Sequence, residues 1–379
     1  MKELTKFQKI KDLRVALVHD FLTEDGGAER VLRVFHEIWP KAPVYTVTYF
    51  PESFEPRLDN WDIRTSFVAK LPFRKKLEHQ YKLFYQFAVE QFKFDDYDLV
   101  ISSTFSGYAK GVVVPTDCRH FSYIHNIPRF LWGLPTATHG RLGFLYKKVI
   151  LPPLEHFWRI WDRQTADRPD KLICNSKVTQ SRVKKFYKRD SAVIYPPVEV
   201  EKLLEISEPK QDYYVYFGRL EEYKRVDMAI KACSKAGKKL KIIGDGSYRK
   251  YLEKVADESG ISSNIEFLGR VSDNERNKVV AAARAFIFPC PDEDFGIVPI
   301  ESMALGTPVI AFNSGGVTES VVNNETGILI DEFSVDALSE VLKSFDLEKF
   351  DLEKVRERAT NFSRDRFVKR ILSYISENI

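Results

Sequence analysis

AFIFPCPDEDFGIVPIESMALGTPVIAF, Ala285–Phe312, reads as a strand, a loop, a short helix and a second strand. AFIFPC and PVIAF are short and nearly unbroken in hydrophobicity, as strands buried on both faces of a parallel sheet are. IVPIESMAL between them reads as a helix, and Gly296 marks the turn into it. The same stretch carries two carboxylates eight positions apart, Glu293 in the loop and Glu301 inside the helix. Across such a junction they read as two contacts to one extended ligand lying along a helix N-terminus.

The alternation recurs along the whole chain. RVALVHD (Arg14–Asp20), LVISS (Leu99–Ser103), GVVV (Gly111–Val114), FSYIHN (Phe121–Asn126) and KLICNS (Lys171–Ser176) form one set of expected strands. YYVYFGRL (Tyr213–Leu220), KLKIIGDG (Lys239–Gly246), IEFLGR (Ile265–Arg270), AFIFPC and PVIAF form a second set. Helices fill the gaps, and VSDNERNKVVAAAR opens with a capping box, Ser272 followed by Glu275. Strand and helix in turn predict an α/β protein of doubly wound sheets. Pro196–Pro197 stop a strand, and a charged connection follows them. This divides the chain into two Rossmann-like domains, 1–200 and 201–361, with a C-terminal helix at about 362–379 expected to pack back on the first. A ligand crevice is expected where the carboxyl ends of the two sheets face each other.

Composition bounds the function. The chain has 379 residues, 44% of them hydrophobic and 30% charged, with a net charge of +4. That charge is no basic footprint for nucleic acid, and no recognition motif for it appears. No apolar run approaches the roughly 20 residues that span a bilayer. The N-terminal MKELTKFQKIKDLR lacks the apolar core of a secretory signal. Cys118, Cys174, Cys233 and Cys290 show no metal-type spacing and read as buried free thiols. A cytoplasmic protein is the expectation.

Several stretches hold groups suited to phosphate and sugar. Gly26–Gly27 follow the first strand and open a helix, where bare backbone N–H groups can approach a phosphate, although such a pair can equally be only a turn. Arg219 and Lys224, at the end of a strand and in its loop, make a natural diphosphate clamp of fork and point charge. They also read as a solvated basic loop beside Glu221 and Glu222. Gly244 in IIGDG lies in a tight strand-to-helix turn. FGIVPIE offers the amides of Phe295, Gly296, Ile297 and Val298 at a helix start, and a carboxylate such as Glu293 or Glu301 can accept from two vicinal hydroxyls at once.

The order of these pieces is Gly-Gly after the first strand, His125 in YIHNIPRFLWG, G-R-x4-K, E-x7-E, G-x-P-V-I-A and GG-x-x-E. In this order they resemble the retaining glycosyltransferases of family four, which have the GT-B fold, over essentially the whole chain. The resemblance implies that Glu301 holds the ribose of a nucleotide diphosphate sugar and that Glu293 contacts its hexose. It implies that the amides of residues 295–298 meet sugar or phosphate, and that Arg219 and Lys224 stabilise the leaving diphosphate. Gly26, Gly27 and Gly244 are then donor-binding and His125 lies near the donor sugar. Where the family has glycine after the clamp lysine, this chain has Arg225.

The activity so implied is metal-independent transfer of a hexose, with GDP-mannose favoured as donor, to a glycan or lipid-linked sugar. Asp292–Glu293–Asp294 is then a donor-binding stretch rather than a metal site. A UDP-hexose donor, a non-catalytic sugar-nucleotide-binding protein and a phosphorylase or epimerase of the same fold are the other readings. The last is weakened because no pyridoxal-lysine motif appears. Arg64–Phe94 carries seven Lys/Arg against two Glu, with Leu77, Tyr81, Phe84, Tyr85 and Ala88 at helical spacing. It reads as a basic amphipathic helix lying on an anionic membrane surface, with Arg74, Lys75 and Lys76 as its charges, or as an ordinary helix with an inward aromatic stripe.

Overall fold

Thirteen short strands among the described residues make two parallel sheets. They are β1 (Val15–His19), β2 (Val44–Thr46), β3 (Ile63–Thr65), β4 (Leu99–Thr104), β5 (Arg119–Ile124), β6 (Lys171–Cys174) and β7 (Ala192–Val193), then β8 (Tyr214–Phe217), β9 (Leu240–Ile243), β10 (Ile265–Gly269), β11 (Phe286–Phe288), β12 (Val309–Phe312) and β13 (Gly327–Ile330). The structure, a computed structural model, describes residues 2–73, 75, 77–134, 148–149, 151–260 and 262–379.

The first sheet runs β3-β2-β1-β4-β5-β6-β7 and the second β10-β9-β8-β11-β12-β13. Every pairing is parallel. Counted within its own unit, each sheet has the order 3-2-1-4-5-6, with β7 added to the edge of the first, which is the doubly wound Rossmann arrangement. In each, the order reverses between two central strands, β1 and β4 in one sheet and β8 and β11 in the other. Loops leaving the carboxyl ends of such strands diverge and leave room for a ligand.

The chain divides into two compact units. One takes in the described residues to Leu134, those up to Pro197, and Asp365–Ile379; the other is Val198–Arg364. In the first unit, alternation along single strands puts neighbouring residues on opposite faces. Val15 and Leu17 join one core with Leu99, Ile101 and the helix Gly27–Ile38, whereas Ala16 and Val18 join another with Val100, Tyr85, Ala88 and Val89. Phe367, Ile371, Leu372 and Ile375 of the helix Arg364–Asn378 complete the former core, each at most 2% exposed. In the second unit the helices Val226–Ala236 and Val335–Ser344 pack together beside the sheet.

Three expectations change. Gly111 closes a 3-10 turn, Ala109–Gly111, and the GVVV run beyond it is no strand, since Pro115 follows and Val113 is exposed. The short strands β2, β3, β7 and β13 were not expected. Two or three residues are too few for periodicity to show, and β13 begins on glycine. Arg64–Phe94 is not one helix. It is β3, a 3-10 turn Phe67–Lys70, a helical turn Glu78–Tyr81, a 3-10 turn Lys82–Phe84 and a helix Tyr85–Glu90. Pro72 and Phe73, the latter at φ 53°, interrupt it. Tyr85 and Ala88 turn inward, while Phe84 and Phe87 are 43% and 60% exposed. Arg74 and Lys76 lie outside the described residues. All four cysteines are buried free thiols.

Candidate functional site

In the second unit, the candidate residues gather at the carboxyl ends of β8 and β11, where its strand order reverses. After β8 the chain passes Gly218 into the turn Glu222–Lys224. The buried Tyr216 hydroxyl donates to the Arg219 carbonyl at 3.1 Å and pins the exit from the strand. Arg219 is exposed, and its guanidinium donates to the Tyr223 hydroxyl at 3.4 Å. Lys224 lies over the ring of the same tyrosine, 4.9 Å from its centroid. Tyr223 therefore contacts both clamp cations, and only its place between them in RLEEYK hinted at this.

Lys224 is paired with Glu293, which sits after β11 in the loop before the helix Ile297–Ala304. Their side chains are only 15% and 19% exposed. Burial acts to lower the Lys224 ammonium, but the Glu293 carboxylate outweighs it and the net shift is upward. The lysine is a fixed cation. Cys290 donates to the Tyr223 carbonyl and ties the two loops together, and burial pushes its thiol up to about 12, so it is a packing residue.

The E-x7-E pair straddles a helix start. Gly296, at φ 87°, precedes Ile297, so Glu293 lies outside the helix and Glu301, 7% exposed, in its second turn. The first amides of a helix have no intrahelical acceptor, and they carry the positive end of its dipole. Here Ile297 and Val298 supply those amides, and Pro299, which has no N–H, follows them. Phe295 is buried against Phe362.

A glycine pair that carried no assigned role sets the position of Glu293. Gly316 N donates to the Glu293 carbonyl at 2.8 Å. A Cβ on Gly315 would meet that carbonyl at 2.7 Å, and one on Gly316 would meet the Phe295 Cα at 2.4 Å. The pair was visible as the GG of AFNSGG. Gly244 makes a similar approach: a Cβ there would stand 2.0 Å from the Gly218 carbonyl. Ser247, just beyond, donates its hydroxyl to Glu221 at 2.6 Å, which gives that acid a clip between the β9 and β8 loops. Arg225 occupies the left-handed region at φ 54° and pairs with Asp227 through Nε at 3.0 Å. Among the described residues no group of three or more His, Cys, Asp or Glu is arranged to hold a metal ion.

In the first unit, the strand reversal again collects the candidates. His125 follows β5, and its Nε2 is 2.8 Å from Ser103 Oγ at the end of β4. Ser103 Oγ is 3.2 Å from His19 Nδ1 at the end of β1, and His19 Nε2 is 3.2 Å from Glu29 Oε1. The other oxygen of Glu29 accepts from Gly26 N at 2.9 Å, at the start of the helix Gly27–Ile38. Burial, with a smaller contribution from His19, pushes the His125 imidazole down to about 3, so it is neutral near pH 7. Asp20 beside His19 accepts from the Phe105, Ser106 and Ala109 amides and fixes the turn after β4.

Two parallel-sheet Rossmann-like domains, each with polar groups converging at its strand reversal, define the GT-B class of fold. The family described as "Glycosyltransferase Family 4" matches residues 25–202, and that described as "Glycosyl transferases group 1" matches residues 200–366. The chain belongs to this glycosyltransferase family. An uncharacterised glycosyltransferase of Methanocaldococcus jannaschii is 29% identical over 214 residues, 55% of this chain and 60% of its own. A GDP-mannose-dependent alpha-(1-6)-phosphatidylinositol monomannoside mannosyltransferase of Mycobacterium tuberculosis is 38% identical over 113 residues, 28% of this chain and 29% of its own. The chain thus spans less than two thirds of these curated relatives. The crystal structure of Anabaena HepE with UDP and glucose superposes with a TM-score of 0.70 at 19% identity, covering 96% of this chain and 99% of that one.

Proposed function

We propose that the protein is a retaining hexosyltransferase that takes a hexose from a nucleotide diphosphate sugar, with GDP-mannose as the favoured donor. The observation that carries this is the Lys224–Glu293 pair at the strand reversal of the second unit, directly ahead of the helix that bears Glu301. Departure of a nucleoside diphosphate builds negative charge on its phosphates. Lys224, Arg219 and the Ile297 and Val298 amides are cationic or dipolar groups suited to stabilise it where water is displaced. Glu301 is assigned to the ribose hydroxyls and Glu293 to the hexose. In the first unit, Gly26 and Gly27 are assigned to phosphate and His125 to the sugar. The charge these groups supply makes a divalent metal unnecessary in this scheme.

The mycobacterial relative uses GDP-mannose and supports that donor, whereas the Anabaena protein binds UDP and glucose and supports a UDP-hexose as the second reading. Thermal shift against GDP- and UDP-sugars, followed by transfer from the stabilising donor in EDTA, tests the proposal. Ligands that bind only the folded chain raise its Tm. GDP-mannose is expected to stabilise and to be turned over. Stabilisation by UDP-hexoses alone would select the second reading, and stabilisation without transfer would leave a non-catalytic binder.

The acceptor is proposed to be a glycan or lipid-linked sugar. No helix among the described residues is long and apolar enough to cross a membrane. Reversible contact with anionic lipid is assigned to the exposed Phe73, Phe84 and Phe87 together with Lys75, which also pairs with Glu52, and Lys82, whose ammonium lies over the Phe21 ring. Flotation with anionic liposomes that is insensitive to salt, or absent, would remove that assignment.

A further inference from the structure

The first unit contains a hydrogen-bonded chain whose polarity can be read from one end. Gly26 N–H can only donate, so Glu29 Oε2 accepts from it, at 2.9 Å. A Cβ on Gly26 would stand 3.1 Å from that same oxygen, and glycine leaves it room. The order we propose takes Glu29 Oε1 as a second acceptor, with the proton on the facing His19 Nε2, 3.2 Å away. In that order His19 accepts at Nδ1 from the Ser103 hydroxyl; an imidazole carrying protons on both nitrogens would donate there instead and reverse the bonds beyond it. Having spent its one proton on His19, Ser103 Oγ accepts from His125 Nε2. His125 is then the Nε2–H tautomer, and its Nδ1 is left as a lone-pair acceptor.

We propose that Glu29, His19 and Ser103 are positioning residues that set the tautomer of His125 and present its Nδ1 as a hydrogen-bond acceptor. The members are buried: His19 and Ser103 at 0% exposure, Glu29 at 4% and His125 at 8%, so bulk water does not scramble the order of donors and acceptors. They come from four places in the chain, β1, the start of the helix Gly27–Ile38, β4 and the residue after β5. One carboxylate thereby serves two purposes: it satisfies the helix-start amide in the Gly26–Gly27 turn, and it orients an imidazole three hydrogen bonds away. An acceptor at Nδ1 suits a hydroxyl donor. That extension rests on the assignment of His125 to the transferred sugar.

The chain makes a prediction that simple packing does not. In Glu29→Gln the amide oxygen must stay on Gly26 N–H, so the amide NH2 faces His19. It donates where the carboxylate accepted, and every hydrogen bond beyond it reverses. His125 should switch to the Nδ1–H tautomer. The test uses the full chain labelled with 15N-histidine and no ligand, with ring-nitrogen resonances assigned through a His125→Asn variant. Wild type is expected to show His125 as Nε2–H, Glu29→Gln as Nδ1–H, and Ser103→Ala as a mixture, while Ser103→Thr restores the wild-type pattern. An Nδ1–H form in the wild type, or one unchanged tautomer in both Glu29→Gln and Ser103→Ala, overturns the proposal. The serine pair decides the matter if the glutamine variant does not fold. With the stabilising donor, Glu29→Gln is expected to lower kcat about tenfold with KM within about twofold. Wild type that turns over no nucleotide sugar would refute the proposed function, while the tautomer measurement judges the chain separately.

Discussion

Arg225 stands at φ 54°, in the left-handed region where a side chain costs roughly 1–2 kcal/mol and glycine costs little. The departure from the family's glycine thus falls where the turn after Lys224 needs left-handed backbone, and the structure meets it with the Arg225–Asp227 pair. Arg225→Gly exchanges one advantage for another and is expected to stay within about 1 kcal/mol of wild type by chemical denaturation. Arg225→Val, branched at Cβ and unable to pair, is expected to lose about 2 kcal/mol or more. At the same scale, Lys224→Ala removes a charged donor contributing roughly 1.5–3 kcal/mol, so kcat/KM should fall about 10–150-fold. Glu301→Ala should weaken binding of the free nucleoside diphosphate, to which ribose belongs. Glu293→Ala should spare that binding and depress transfer. Calorimetry with GDP and UDP separates the two, and equal losses would refute the division.

Between the elements, the second unit's site is held by close backbone approaches. The loop after β11 lies against Gly315–Gly316 so tightly that either Cβ would overlap it. Gly316→Ala must move the chain at Phe295, one residue before Gly296 opens the helix Ile297–Ala304. It is expected to destabilise the protein by about 2 kcal/mol and to lower kcat/KM by on the order of a hundredfold, although residue 316 has no assigned contact with the donor. A denaturation midpoint measured beside transfer kinetics checks both. Full activity at unchanged stability would show that the loop tolerates the shift. Gly244, assigned to the donor by resemblance, also has a packing reason to be glycine: the Gly218 carbonyl occupies the space of a side chain.

For the whole molecule, two buried histidines impose a pH dependence. Burial depresses His120 and His125 from 6.5 to about 3 in the folded chain. Between those values the unfolded chain binds the proton and the folded chain does not, so stability rises with pH through that window and levels off above about 6.5. On going from pH 7 to pH 5 each histidine removes about 2 kcal/mol. Tm should therefore drop over that interval, and a His120→Asn variant should show about half the slope. A Tm flat between pH 5 and 7 would mean that these imidazoles take up protons in the folded chain as readily as in the unfolded one.

Local pattern determined a great deal. The apolar runs of β1, β4, β5, β6 and β8–β12 were legible because a strand buried on both faces is a short unbroken hydrophobic word. Glu293 in a loop and Glu301 in a helix were legible because Gly296 punctuates the junction. Other features are products of contact between distant segments. Val44–Thr46 is a strand only because β1 lends it hydrogen-bonding partners, Ile63–Thr65 only because β2 does in turn, and GVVV is none because no neighbour does. The order of strands, which places residues 219–224 beside 293, is not written in any one of them. Tyr223 acquires its role only when the β8 and β11 loops meet, and Gly315 and Gly316 theirs only when the β12 loop meets the β11 loop. His125 was singled out by its place in a series of motifs, but the groups that orient it lie at 19, 29 and 103. Periodicity reports which face of an element is buried; the direction of a hydrogen bond depends on which atoms the folded chain brings within 3 Å, and only the tertiary structure decides that.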